Sequence, residues 1–91
     1  MIKAIKIEVF GRVQMVGFRW FTRRIAKQLN IKGNVKNTVK GSVKIIAEGE
    51  DEQLNLFIGQ IVKGPPSSNV TNIIKDEDII IKNFTTFDII G

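Results

Sequence analysis

The run Gly11-Arg12-Val13-Gln14-Met15-Val16-Gly17-Phe18-Arg19 links a segment that alternates like a strand to one spaced like a helix. A loop feeding the start of a helix leaves backbone N–H groups unpaired beside the positive end of the helix dipole, and both features favour an anion. A concave run of such amides holds phosphate oxygens without any side chain. Arg19, in the helix's first turn, adds a planar guanidinium able to make two parallel bonds to one phosphate. Phosphate binding is the chemistry this spacing suits. Glycine patterns this short also arise by chance, and Gly11 and Gly17 could simply shape a turn, with Arg19 one more surface cation.

The rest of the composition narrows the chemistry. The chain has no histidine and no cysteine, which excludes a Ser-His hydrolase, a cysteine phosphatase, a phosphohistidine enzyme and an ordinary zinc protein. Without cysteine there is no disulfide framework and nothing to favour an oxidising compartment. Fourteen Lys and Arg against nine Asp and Glu give a net charge of +5, which favours anionic partners. The cations are spread along the chain, which argues against nucleic acid. No stretch has the apolar length of a membrane span or of a signal peptide, so Asn69-Val70-Thr71 and Asn83-Phe84-Thr85 read as chance glycosylation sequons. A cytoplasmic monomer is the expectation, and residues 1–91 have room for one domain and one modest core.

The elements that must position the loop are legible as periods. Ile5, Ile7 and Val9 alternate with Lys6 and Glu8, as in a half-buried strand. From Phe18 the spacing turns helical, with Phe18, Phe21, Ile25 and Leu29 on one stripe, Ala26 beside it and Asn30 as a left-handed end. Residues 31–37 read as extended, and Thr38 to Gly41 as a hairpin connection into a strand carrying Val43, Ile45 and Ala47 on one side. Glu50, Asp51 and Glu52 open a second helix with Leu54, Phe57, Ile58 and Ile61 buried, and Gly64-Pro65-Pro66 stops it. A strand starts near Val70, Lys75 to Asp78 reads as its end, a bulge or a turn, and a short strand near residues 87–90 closes the chain. The order is βαββαβ plus a short fifth strand. Two helices on one face of a mainly antiparallel sheet make an α+β, ferredoxin-like sandwich, a fold that serves many functions.

That fold gives Asn37 a place. Strands one and two run parallel with one strand between them, about 10 Å apart. The loop after the first and the end of the second therefore share an edge of the sheet. Asn37 has the parity of Val35, which puts it on the helix-covered side beside the loop. Asn also introduces turns, and its other reading is the start of the hairpin.

These residues carry a resemblance. Residues 11–19 closely resemble the acylphosphatase signature Gly-x-Val-Gln-Gly-Val-x-Phe-Arg, and Gly33-Asn34-Val35-Lys36-Asn37 is similar to the family's Gly-Trp-Val-x-Asn. Ala26, Leu29, Gly41-Ser42-Val43, Ala47-Glu48-Gly49, Gly64-Pro65, Val70 and Phe87-Asp88-Ile89 extend the match over nearly the whole chain. The resemblance implies hydrolysis of acyl phosphates to a carboxylate and inorganic phosphate, with no cofactor, no metal and no covalent enzyme intermediate. It implies that Arg19 and the amides of Gln14, Met15, Val16, Gly17, Phe18 and Arg19 form the phosphate-binding loop. Asn37 would orient the attacking water, and a substrate oxygen would take the proton. Inorganic phosphate or sulfate would be a ligand of the same loop.

Two positions depart from the pattern. Met15 stands where the family has glycine. Positive φ there would cost methionine about 1–2 kcal/mol, close approach would crowd the substrate, and negative φ, the benign reading, would leave the loop unharmed; activity is expected to survive, at an equal or reduced rate, because Gly17 still gives the loop freedom. Asn34 replaces tryptophan on the open sheet face. Trp20 lies off the apolar stripe, either bordering the site or, as the favoured reading, against Arg24 on the surface. Two other functions fit the same pattern: a phosphate- or carbamoyl-phosphate-binding domain without turnover, and an RNA-binding module. The second needs aromatics on the open sheet face, where Ser42, Lys44, Ile46 and Glu48 are expected instead.

Overall fold

Alternation and helical stripes fold as their periods require. In the computed structural model, which describes residues 1–77 and 79–91, the elements are β1 (Ile2–Arg12), α1 (Phe18–Gln28), β2 (Lys32–Asn37), β3 (Val43–Glu50), α2 (Asp51–Lys63), β4 (Asn69–Asp76) and β5 (Phe87–Ile89). The sheet runs β4-β1-β3-β2-β5. β1 pairs antiparallel with β3 and β4, β2 pairs antiparallel with β3, and β5 lies parallel to β2. β1 and β2 therefore run parallel on either side of β3, and their ends share an edge. The fold is the ferredoxin-like sandwich read from the element order.

The core forms where the two helices cover one sheet face. Ile5, Ile7, Val9, Val35, Val43, Ile45 and Ala47 from the strands meet Phe18, Ile25, Ala26, Leu54, Phe57 and Ile61 from the helices. Burying each large apolar side chain contributes roughly 1.5–3 kcal/mol. Phe57 lies edge-on to Phe87 with ring centroids 6.3 Å apart, which joins β5 to the core. Thr22 is buried inside the apolar stripe of α1 because its hydroxyl donates to the Phe18 carbonyl at 2.9 Å. Both helix ends fit their sequence: Asn30 has a positive φ of 55°, and Gly64 stops α2 with φ 68° and an extended ψ of 176°.

The far side of the sheet corrects one expectation. Ser42 and Glu48 do not lie on an open face: Ser42 is buried and Glu48 is only 4% exposed. β4 and β5 occupy opposite edges, so the chain between them has to cross the sheet. It does so over the face without helices, where the Glu48 carboxyl accepts the Lys82 N–H at 2.6 Å and the Phe84 N–H at 2.9 Å. The strand expected from Val70 reaches Asp76; its register shifts between Phe10 and Gly11 of β1, and from Asn72 it runs evenly, with Lys75 opposite Ile7 and Asp76 opposite Lys6. Residues 79–83 form no strand. The part of that reading that fell on Asp78 lies outside the described residues.

Candidate anion-binding site

The loop between β1 and α1 is held by its side chains and left open along its backbone. Val13 and Phe18 are buried at either end, and Val16 packs against the core. Gln14 Nε2 donates to the Thr38 carbonyl at 2.8 Å and the Ser42 carbonyl at 3.0 Å, which ties the loop to the turn after β2. Met15 (φ 61°) and Gly17 (φ 77°) are both left-handed. Left-handed residues interspersed in a loop turn successive N–H groups to one side, as an anion-binding nest requires. The first N–H at the head of the helix with an acceptor is Phe21's, to the Gly17 carbonyl at 3.0 Å. Among the described residues, the amides from Met15 to Trp20 donate to nothing.

Of the readings open for Met15, the structure takes positive φ, and the benign one of negative φ is not realised. The positions of Val13, Val16 and Phe18 fix the path of the loop, and the backbone at residue 15 takes the left-handed form that path demands. The methionine side chain escapes collision by pointing wholly outward, at 100% exposure.

Among the described residues, no acidic side chain neutralises this helix start. Gly17 is the N-cap and offers no side-chain oxygen, and the first turn of α1 holds no acidic residue. α2, by contrast, has Asp51 and Glu52 in its first turn. Acids are the usual complement to the positive end of the dipole, so α1 has unpaired donors, a positive end and an arginine that pairs with no Asp or Glu side chain among the described residues.

Arg19 and Asn37 are brought to one place. Arg19 Nη1 donates to the Gly91 carbonyl oxygen at 2.9 Å, and the Asn37 backbone N–H donates to the same oxygen at 2.8 Å. The Asn37 side-chain oxygen is buried and has no hydrogen-bond partner among the described residues. Buried polar atoms are nearly always paired, and an exception in a native protein calls for an explanation. This acceptor lies at the edge where the loop amides end.

A polar network that sequence reasoning missed supports the turn after Asn37. The Ser42 hydroxyl donates to Glu8 Oε2 at 2.5 Å, so by proton count the Thr38 hydroxyl donates to Ser42 Oγ at 2.6 Å. Lys40 Nζ lies 3.3 Å from the same Glu8 oxygen. The Ser42 hydrogen bond, outweighing burial and helped by Lys40 and Lys44, holds the Glu8 carboxyl below its ordinary value. Thr38 and Ser42, two hydroxyl residues flanking a turn, were the available signal. Trp20 is on the surface, 66% exposed, but its cationic neighbour is Arg23, 5.7 Å from the ring, and not Arg24, which sits over Phe21 at 5.9 Å.

Comparison with known proteins gives this geometry relatives. The model of the acylphosphatase family matches residues 5–89. An acylphosphatase of Thermotoga petrophila is 53% identical over 76 residues, 84% of each chain. One from Latilactobacillus sakei is 44% identical over 92 residues, covering both chains fully. The crystal structure of acylphosphatase from Bacillus subtilis superimposes over 100% of both chains with a TM-score of 0.95 at 37% identity.

Proposed function

The chain belongs to the acylphosphatase family and hydrolyses acyl phosphates, and we propose that the amides of Met15 to Arg19 and the Arg19 guanidinium hold the phosphoryl group while Asn37 holds the attacking water. The observation that carries this assignment is the buried, unpartnered Asn37 side-chain oxygen at the edge of a helix start with unpaired amides. A water that donates one hydrogen to this oxygen turns a lone pair toward the phosphorus. It attacks in line, the phosphorus–oxygen bond to the acyl group breaks, and the carboxylate leaves with that bond's electrons. The water's proton passes to a phosphoryl oxygen, so the products are RCOO⁻ and H₂PO₄⁻ from RCO–OPO₃²⁻ and water. No protein base is required, in keeping with a chain that lacks histidine.

The physical load is suited to the parts available. A carboxylate is a good leaving group, so positioning and charge stabilisation supply the catalysis. Arg19 is pre-aimed by its bond to the Gly91 carbonyl, and the amides are fixed by buried Val13 and Phe18, so little reorganisation is needed when charge develops. Inorganic phosphate, a product, is the natural competing ligand. Among the described residues no helix is long and apolar enough to cross a membrane. A cysteine-free protein acting on small phosphorylated substrates suits the reducing cytoplasm, where we place it as a monomer of one domain.

The assay is benzoyl phosphate hydrolysis in the presence of a chelator. Arg19→Ala and Asn37→Ala should each lower kcat by about 10²–10³, the usual loss for one preorganised donor or positioning group. Wild-type turnover in Arg19→Ala would refute the assignment.

A further inference from the structure

In-line displacement places the leaving group opposite the nucleophile, and the two flanks of α1 are not alike. Arg19 and Arg23 lie on the flank facing β5, where they donate to the Gly91 and Phe87 carbonyls. Asn37 is on that flank too, through the same Gly91 oxygen. Residues 17, 20, 21 and 24 follow the i, i+3, i+4, i+7 spacing and form a second face of the helix start. That face looks onto the loop after α2. Gly64 comes so close to Phe18 that an added Cβ would stand 3.0 Å from its ring. The Pro65 carbonyl accepts both the Ser68 N–H at 3.0 Å and the Ser68 hydroxyl at 2.7 Å, which locks the loop. Between them lies a cleft of about 400 Å³ lined by Gly17, Trp20, Phe21, Arg24, Pro65 and Pro66.

We propose that this cleft receives the acyl group of the substrate, and that it favours acyl phosphates with aromatic or bulky apolar acyl groups over acetyl phosphate. The inference rests on the placement of the phosphoryl group and water given above. With water held at Asn37, the bond to the acyl oxygen points away from β5, and the cleft is the concavity on that side that Gly17 joins to the loop amides. Its walls are an indole, a phenyl edge and two proline rings. Trp20 is 66% exposed, and a large exposed aromatic beside a binding loop has a ready use as a stacking surface. The two prolines and the bonded Ser68 make the opposite wall rigid, so little order has to be created on binding. A second cleft, lined by Arg19, Trp20, Arg23, Asp88 and Ile89, lies on the water's flank and is stereochemically wrong for the departing group.

The experiment compares kcat/KM for benzoyl phosphate and acetyl phosphate in wild type, Trp20→Ala and Arg23→Gln, with the inhibition constant of inorganic phosphate measured in each. Trp20→Ala should lower the benzoyl-to-acetyl ratio about tenfold, the scale of a lost aromatic contact, with phosphate inhibition unchanged. Arg23→Gln should leave the ratio as in wild type. An equal effect of Trp20→Ala on both substrates, or a ratio governed by Arg23, overturns the acyl cleft and leaves the phosphate cup standing. Failure of the cup has a different signature: Arg19→Ala would retain both turnover and phosphate inhibition, and the cleft would fall with it.

Discussion

Replacing Met15 by glycine should make the protein more stable without loss of activity. Met15 holds φ 61° and its side chain is fully exposed, so the substitution removes no buried contact. A non-glycine residue in the left-handed region is disfavoured by about 1–2 kcal/mol. Glycine gives back about 0.4–1 kcal/mol through the greater freedom of the unfolded chain. The difference is a gain of about 0.5–1 kcal/mol, which for a domain of this size raises Tm by about 2–8 °C. Met15→Ala separates the two effects. It keeps the disfavoured φ and removes only an exposed side chain, so its stability should stay within about 0.5 kcal/mol of wild type. Thermal unfolding of the three proteins, with benzoyl phosphate turnover measured alongside, tests the reasoning. Turnover in Met15→Gly should equal or exceed wild type, because the amides stay anchored by Val13 and Phe18 and the Cβ beside them is gone. A drop in Tm joined to a large loss of turnover would show that the loop needs methionine's restricted backbone to keep its shape, and would refute the account.

Glu48→Ala leaves the Lys82 and Phe84 N–H groups without their acceptor under the crossing segment. Hydrogen bonds to a carboxylate are worth about 1.5–3 kcal/mol each, so chemical denaturation should show a loss of several kcal/mol, with phosphate inhibition retained in the folded fraction. For Glu8, the folded-state value is lowered from 4.5 by the Ser42 hydroxyl, with Lys40 and Lys44 helping. Its contribution is therefore fully present above the unfolded value and is lost as pH falls through the lower, folded one. The stability gap between wild type and Glu8→Gln should hold constant near neutrality and close as the pH falls from 4.5 through the lower, folded-state value; a gap that widens on acidification would contradict the network.

Periodicity made most of the frame legible. Alternation at Ile5, Ile7 and Val9 and the stripe from Phe18 to Leu29 each report a single buried face, and each is buried where its period put it. Asn37 was reachable because parity and the parallel course of β1 and β2 are local rules. Glu48 was not. Its parity assigns it to the face without helices, and the segment that buries it has no repeating pattern of its own; only the positions of β4 and β5 at opposite edges force that crossing. The Gly91 carbonyl that gathers Arg19 and Asn37 lies 72 residues from Arg19, a separation no local pattern encodes. At Met15 the residue type left the sign of φ open, and the anchored ends of the loop decide it.

The contrast between the two helix starts is the strongest internal argument for what the loop does. Both helices follow a strand in the same sheet and both pack on the same core. α2 answers its own dipole with Asp51 and Glu52, whereas α1 has a glycine N-cap, no acid in its first turn and Arg19 added to the positive end. Neither helix has a side-chain cap, and an acid in the first turn contributes about 0.3–1 kcal/mol through the dipole, so a start without one is a sacrifice of stability. Fold alone does not require it, because α2 meets the same topological need without it. In the proposed site a dianion seated on those amides would supply the missing counter-charge, and because the chain lacks histidine this charge complementarity, with one water oriented by Asn37, is what the proposed catalysis has to work with.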